Sequence, residues 1–260
     1  MKLLDNFSSP ILITGCPRSG SSIVAGAIAY GAFGGFLTEN RFFNSRFEEK
    51  IQIKEKGMFE NIPIREMIEK TYLKDIAVDV KGQYPLPNID SLAIPNDWKE
   101  KIKVSLFGQG YDSDLGKWFY KSARMALLWP IWHHAFPDAK WIIVRRRAID
   151  IVQSSLETIS VNVFKNKAVL SGLGVTNEKE GWLWLIKEYE ARFIAMINAG
   201  LNIKIIWPER MAQGDYRQVI DIIEWTGLSW QSEMLSFIDP KFWKLRKREG
   251  QTYGSTSDSK

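Results

Sequence analysis

The chain has 260 residues but a single cysteine, Cys16, and only two histidines, His133 and His134. One thiol excludes an internal disulfide and any cysteine-rich metal site, and a reducing compartment is the expectation. No stretch reaches about 18 consecutive apolar residues, which argues against a membrane-spanning helix. The opening MKLLDNFSSP is too short and too polar for the apolar core of a secretory signal, so a soluble, cytoplasmic protein is expected. Neither sign of charge is in large excess: a net value of +5 is too small to choose among nucleic acid, an anionic small molecule and a membrane surface.

What is present suffices for a sizeable core, since 45% of the residues are hydrophobic. The eleven tryptophans are expected in that core or along a pocket wall rather than on a base-stacking platform. No internal repeat divides the chain, and one domain over residues 1–260 is the economical organisation. Its end, about 251–260, is rich in Gly, Ser and Thr and reads as a flexible tail.

Short apolar runs with β-branched residues occur at 10–15, 75–80, 101–108, 117–122, 140–146 and 202–207 and predict strands. Between them, 20–31, 48–71, 124–135, 148–163, 180–199 and 215–226 have helical length and periodicity. Near-continuous apolar strands alternating with helices predict a three-layer α/β protein with a mostly parallel central sheet flanked by helices, and the G-x-x-x-x-G-S-S pattern from Gly15 to Ser22 makes that fold P-loop NTPase-like. In such sheets ligands bind at the carboxyl ends of the strands, which makes the segment from Gly15 to Ser22, Lys121 and Arg146 expected neighbours.

The stretch ILITGCPRSGSS ends a buried strand in glycine, arginine and small polar residues. From Gly15 to Ser22 it reads G-x-x-x-x-G-S-S, a phosphate-binding loop in which Ser21 stands where lysine is usual. Backbone amides at the following helix start would cradle an anion, with the Ser21 and Ser22 hydroxyls as added donors. An ordinary glycine turn is the alternative. A nucleoside triphosphatase also needs a carboxylate for magnesium, commonly at the end of a second apolar strand. Here that strand, WIIV, runs into Arg145, Arg146 and Arg147. Cations in both places predict a ligand neutralised by protein rather than by a metal ion, and disfavour ATP and GTP.

PRSGSS resembles the 5'-phosphosulfate loop of sulfotransferases that use 3'-phosphoadenosine 5'-phosphosulfate (PAPS). VRRRAIDIVQSS is similar to the family's 3'-phosphate motif, an arginine at a strand end followed by a serine eight positions later: Arg146 and Ser154. KGMFEN and WPERMAQGDYRQVIDIIEWTGL extend the resemblance over most of the chain in outline. It implies that Arg18, Ser19, Gly20, Ser21 and Ser22 hold the 5'-phosphosulfate, that Arg146 and Ser154 hold the 3'-phosphate, and that no metal takes part. Lys121 resembles the family lysine on the strand before the 3'-phosphate motif, placed to steady the sulfuryl oxygens. A lysine snorkelling from a strand end is the plainer reading.

The implied reaction is in-line transfer of a sulfuryl group to an acceptor hydroxyl or amine, leaving adenosine 3',5'-bisphosphate (PAP). Arg18 and the loop amides would stabilise the departing phosphate, and the acceptor proton needs a base. Cytosolic sulfotransferases carry a histidine two residues beyond the strand lysine, where this chain has Ala123. The branch resembling tyrosylprotein and some bacterial enzymes carries a glutamate 21 positions after the loop arginine, which selects Glu39; Glu60 is the reserve. Trp207 precedes Pro208 and Glu209 in the late strand, and the basic run 244–249 could reach the 3'-phosphate or form a solvated face. The acceptor stays open among small molecule, sugar, lipid and peptide tyrosine, as does the oligomeric state; nucleic acid is not an expected partner. Two other classes remain, a P-loop kinase or nucleotide hydrolase and a non-catalytic nucleotide-binding module.

Overall fold

The computed structural model describes residues 7–37, 41–43, 58–112, 114, 116–157 and 162–237. In chain order, β1 (Ile11–Gly15) leads into α1 (Ser21–Ala29), and β2 (Gly35–Leu37) pairs antiparallel with β3 (Arg41–Phe43). A π-helical turn over Ile64–Glu69 continues as α2 (Lys70–Asp75), and α3 covers Trp98–Gly108. Then come β4 (Phe119–Lys121), a 3-10 turn at Ala123–Ala126, α4 (Trp129–Ala135), β5 (Lys140–Val144), α5 (Ala148–Leu156), α6 (Lys167–Leu173) and α7 (Glu178–Asn198). The last elements are β6 (Ile203–Ile206), α8 (Pro208–Ala212) and α9 (Arg217–Thr226), followed by a 3-10 segment.

β1, β4, β5 and β6 form one all-parallel sheet in the order β4-β1-β5-β6. Successive strand residues point to opposite faces, and the burial divides accordingly. Leu12, Tyr120, Trp141 and Ile143 pack against one face with Trp98 and Ile102 of α3, Trp132 of α4, Ile151 of α5 and Leu185 and Tyr189 of α7. Ile13, Phe119, Ile142, Val144 and Ile206 pack on the other with Val24 and Ile28 of α1, Met211 of α8 and Ile222 and Ile223 of α9. The sheet is therefore the middle of three layers, as its apolar strands require. Trp118, Trp132 and Trp141 are fully buried, each contributing about 1.5–3 kcal/mol or more by analogy with other large apolar side chains.

Two predicted strands are helix and turn instead. KIKVSLFG at 101–108 lies in α3, whose buried side Trp98, Ile102 and Leu106 repeats every fourth residue while Val104 is 69% exposed. The alternation of Ile102, Val104 and Leu106 imitates a strand although only two of the three face the core. DIAVDV at 75–80 is the end of α2 and a turn: Ala77 has φ 56, and the Asp79 carboxylate accepts the backbone amides of Lys81 and Gln83. That carboxylate satisfies the amides locally, so no neighbouring strand is needed. The predicted helix at 148–163 stops at Leu156, and 124–135 divides into the 3-10 turn and α4. Residues 48–57 of another predicted helix and the tail at 251–260 lie outside the described residues. Among the described residues, no helix is long and apolar enough to cross a membrane.

Candidate active site

From β1 the chain passes to β4 on one side, then crosses over β1 to β5 on the other. α1 after β1 and α5 after β5 therefore cover opposite faces, and the space between their amino ends at the carboxyl edge of the sheet is where sheets of this kind bind ligands. Gly15, at the end of β1, pairs with Val144, at the end of β5.

The loop between β1 and α1 is tight. The Ser19 amide donates to the Cys16 carbonyl (3.0 Å) and the Ile23 amide to the Gly20 carbonyl (3.1 Å). A Cβ on Gly15 would lie 2.4 Å from Ser19 Oγ and 2.5 Å from the Val144 carbonyl oxygen, so no side chain fits there. Gly20 caps α1 at φ 93 with no side-chain hydrogen bond to the first-turn amides. Apart from the Ile23 amide, which is given to Gly20, those amides lie before the first full helical hydrogen bond and carry the positive end of the helix dipole. Arg18 adopts φ 71, a left-handed conformation that costs an L-residue about 1–2 kcal/mol. This backbone turns its side chain out to the surface, while Ser19 is fully buried and its hydroxyl has no hydrogen-bond partner. Ser21 and Ser22 are half-buried at the start of α1. Cys16 is buried beneath the loop, and burial followed by the charge of Glu190 pushes its thiol far above the ordinary range, so it is inert as a nucleophile.

Three consecutive arginines leave β5, and their surroundings separate them. Arg145 pairs with both carboxylate oxygens of Glu190 and lies 5.1 Å from the Trp207 ring centre. Arg147 pairs with Asp150 (2.6 Å) and approaches Glu209 (3.7 Å). Arg146, between them, turns to the loop and donates from Nη1 to the Arg18 carbonyl (3.1 Å). Arg18 in turn donates from Nε to the Ser154 hydroxyl (3.0 Å), two turns into α5. Arg18, Arg146 and Ser154 thus form one hydrogen-bonded chain between the two crossovers. Partial desolvation lowers both guanidiniums from the ordinary arginine value; for Arg146, Asp150 and Glu209 oppose this and Arg18 adds to it. Two cations within each other's field beside unpaired helix amides fit a ligand carrying more than one negative charge.

Lys121, at the end of β4 and in register with Ile13, is 5% exposed, so it does not snorkel to solvent. Its ammonium donates to Glu60 Oε1 (3.2 Å). Glu60 Oε2 accepts from Arg65 and from Arg124, each at 3.2 Å. Arg124 also reaches Glu69, whose Oε2 accepts from the Tyr120 and Ser122 hydroxyls at 2.8 Å each. Burial would raise the Glu60 carboxyl, but the charges of Lys121 and Arg124 and hydrogen bonds from Lys121 and Arg65 bring it down to about 2. Glu69 moves the other way because its burial outweighs Arg124 and the two hydroxyls, and its Oε1 is buried without a partner.

Sequence reading named Lys121 and Glu60 but missed the Arg65, Arg124 and Glu69 that join them in one network. Arg124 and Glu69 carry no motif; their signal is a charge inside an otherwise apolar stretch such as KSARMALLWP, which can be buried only if paired. Glu39 and the basic run at 244–249 lie outside the described residues. His133 is half-buried and His134 exposed, both on α4. A cavity of about 470 Å³ lies away from the loop, lined among others by Tyr84, Pro87, Trp184, Glu188 and Arg192. Helical periodicity puts Trp184 and Glu188 on the side of α7 opposite to Glu190, which faces Cys16.

No family model matches the sequence, and no curated protein matches it. Among solved structures the chain is similar to the crystal structure of sulfotransferase STF9 from Mycobacterium avium. That likeness has 13% identity and a TM-score of 0.47, covering 89% of this chain and 67% of that one.

Proposed function

We propose that the chain is a sulfotransferase that moves a sulfuryl group from PAPS to an acceptor hydroxyl or amine, its charges neutralised by protein cations. The observation that carries this reading is the hydrogen-bonded chain from Arg146 through Arg18 to Ser154, which joins two crossovers at the switch point of the sheet. A ligand with one anionic group needs only the helix amides; cations from both crossovers suit one with anionic groups at both ends.

The donor supplies the sulfuryl group and its 5'-phosphate leaving group. Arg18 and the amides at the start of α1 hold the 5' side and stabilise charge on the phosphate oxygen as its bond to sulfur breaks. Removing one such donor from a site typically costs about 2.7–4 kcal/mol of transition-state stabilisation. Arg146 and Ser154 take the 3'-phosphate, and Lys121 meets the sulfuryl oxygens. As sulfur bonds to the acceptor, the acceptor proton passes to a carboxylate, for which Glu39 is proposed on its spacing from Arg18. An unperturbed glutamate is a weak base for an alcohol, so proton removal must accompany sulfuryl transfer.

Thermal denaturation with PAP, against ATP with magnesium, tests the reading. A ligand at about 100 times its dissociation constant stabilises by about 2.7 kcal/mol. Stabilisation by PAP in excess of ATP with magnesium is expected. The reverse preference would make the chain a kinase or nucleotide hydrolase, and indifference to both would overturn the proposal.

A further inference from the structure

We infer that Glu60 is the positioning residue for Lys121: its carboxylate, gripped from behind by Arg65 and Arg124, fixes the ammonium where a sulfuryl group would meet it. This inference rests on the proposed sulfotransferase reading and adds to it a residue that touches no reacting atom.

The two oxygens of Glu60 divide the work. Oε1 receives Lys121, and Oε2 receives both arginines. Glu60 is 5% exposed and its backbone is held on both sides. Phe59 before it has φ 52. Asn61 after it donates to the Gly34 carbonyl (2.9 Å) and to Gln109 Oε1 (2.8 Å), while its own oxygen accepts the Ile64 amide (3.0 Å). Arg124 is anchored at its far side by Glu69, itself tied to Tyr120 and Ser122. The groups facing the lysine through this cluster are thus Glu60 from the segment entering the π-helical turn, Arg65 and Glu69 from within it, Tyr120 on β4 and Arg124 on the following 3-10 turn.

An ammonium has three donors, and Glu60 engages Lys121 from one direction. A flexible four-carbon stem loses much rotamer freedom when ordered, so a group that orders it before the donor arrives removes that cost from the bound complex. The same geometry argues against Glu60 as the proton acceptor. A carboxylate facing three cations favours its ionised form, and with its carboxyl down at about 2 it is a much poorer base than an ordinary glutamate.

PAPS and PAP differ at the sulfuryl group, so the ratio of their affinities reports on Lys121 while damage to the rest of the site cancels. The test is calorimetric binding of each to the full chain and to Glu60→Gln and Glu60→Asp. In Glu60→Gln the ammonium loses its counter-charge in a buried place and gives up its proton more readily. Above about pH 7.5, where the PAP 5'-phosphate with its second pKa of about 6 is fully ionised, the PAPS-to-PAP affinity ratio of the variant is then expected to fall about 10-fold relative to the wild type by about pH 9.5. Glu60→Asp keeps the charge and retracts it by one methylene, lowering the ratio by about 3-fold or more at every pH, and serves if the glutamine variant does not fold. Wild-type ratios in the variants that fold overturn the inference alone. A wild-type chain that binds neither compound overturns the sulfotransferase reading beneath it.

Discussion

Arg18 and Ser154 are 136 positions apart in sequence and 3.0 Å apart across a hydrogen bond. The serine sits on the helix after β5 and the arginine on the loop after β1, so the bond stitches together the two crossovers that flank the switch point. Arg146 closes the same seam by donating to the Arg18 backbone carbonyl, so its guanidinium helps hold the loop's shape as well as presenting charge. A ligand spanning the seam meets a surface already assembled from three donors, which lowers the ordering cost of binding.

Arg146→Ala removes a charge and the contact to Arg18, and PAP affinity is expected to fall by about 10- to 100-fold, as loss of a charged hydrogen-bonding group implies. Ser154→Ala removes one neutral hydroxyl, and a loss of about 2- to 10-fold is expected. Isothermal titration at fixed salt measures both. Equal effects of the two would contradict the assignment of the charge to Arg146.

Arg18 combines a positive φ with the exposed guanidinium of the loop. Arg18→Gly and Arg18→Ala lose the same functional group, but glycine alone accepts φ 71 without strain. Both variants are expected to lose PAP binding. The glycine variant should nonetheless be the more stable by about 1 kcal/mol in urea unfolding. Equal stability would mean that the left-handed turn is not kept once its side chain is gone.

Gly15→Ala tests how closely the loop is packed on the sheet. The added methyl would meet Ser19 Oγ at 2.4 Å and the Val144 carbonyl at 2.5 Å, and Val144 belongs to the central strand β5. The serine can rotate away, whereas the carbonyl is held by the sheet. A destabilisation of about 1–3 kcal/mol is expected, with a larger fractional loss of PAP affinity than of helix content by circular dichroism.

How much of this was legible in sequence follows from where each residue gets its meaning. The ends of β1 and β5 could be read because a buried parallel strand must be apolar and must stop where polar residues begin. The choice of Arg146 among three arginines rested on its spacing of eight from Ser154 at a strand end, and the structure separates them by partners: Arg145 and Arg147 face acids from α7, α5 and α8, none of them near in sequence apart from Asp150. Lys121 read equally well as a solvated strand end, because its partner Glu60 is 61 positions away. KIKVSLFG was misread because two apolar periods coincide over five residues, and only tertiary burial of Trp98, Ile102 and Leu106 separates them.

The Glu60 cluster sets a pH dependence whose sign follows from its charges. Glu60 titrates at about 2 in the folded chain against an ordinary value of 4.5, so the folded state holds the ionised form more tightly than the unfolded state does. Its stabilisation is complete above about pH 4.5 and is lost as pH falls towards 2, by an amount on the order of 3 kcal/mol. Glu69 acts in the opposite sense: burial raises it, so its ionisation costs stability as pH rises past its ordinary value. Urea unfolding at intervals from about pH 6 to pH 2.5 is expected to show stability falling more steeply in the wild type than in Glu60→Gln. The variant starts lower, because removing one partner from a buried ionic cluster costs about 3–5 kcal/mol, and the two curves converge at acid pH. Parallel curves would mean that the three cations do not depress Glu60 in solution, and that Lys121 lacks the fixed counter-charge on which its positioning depends.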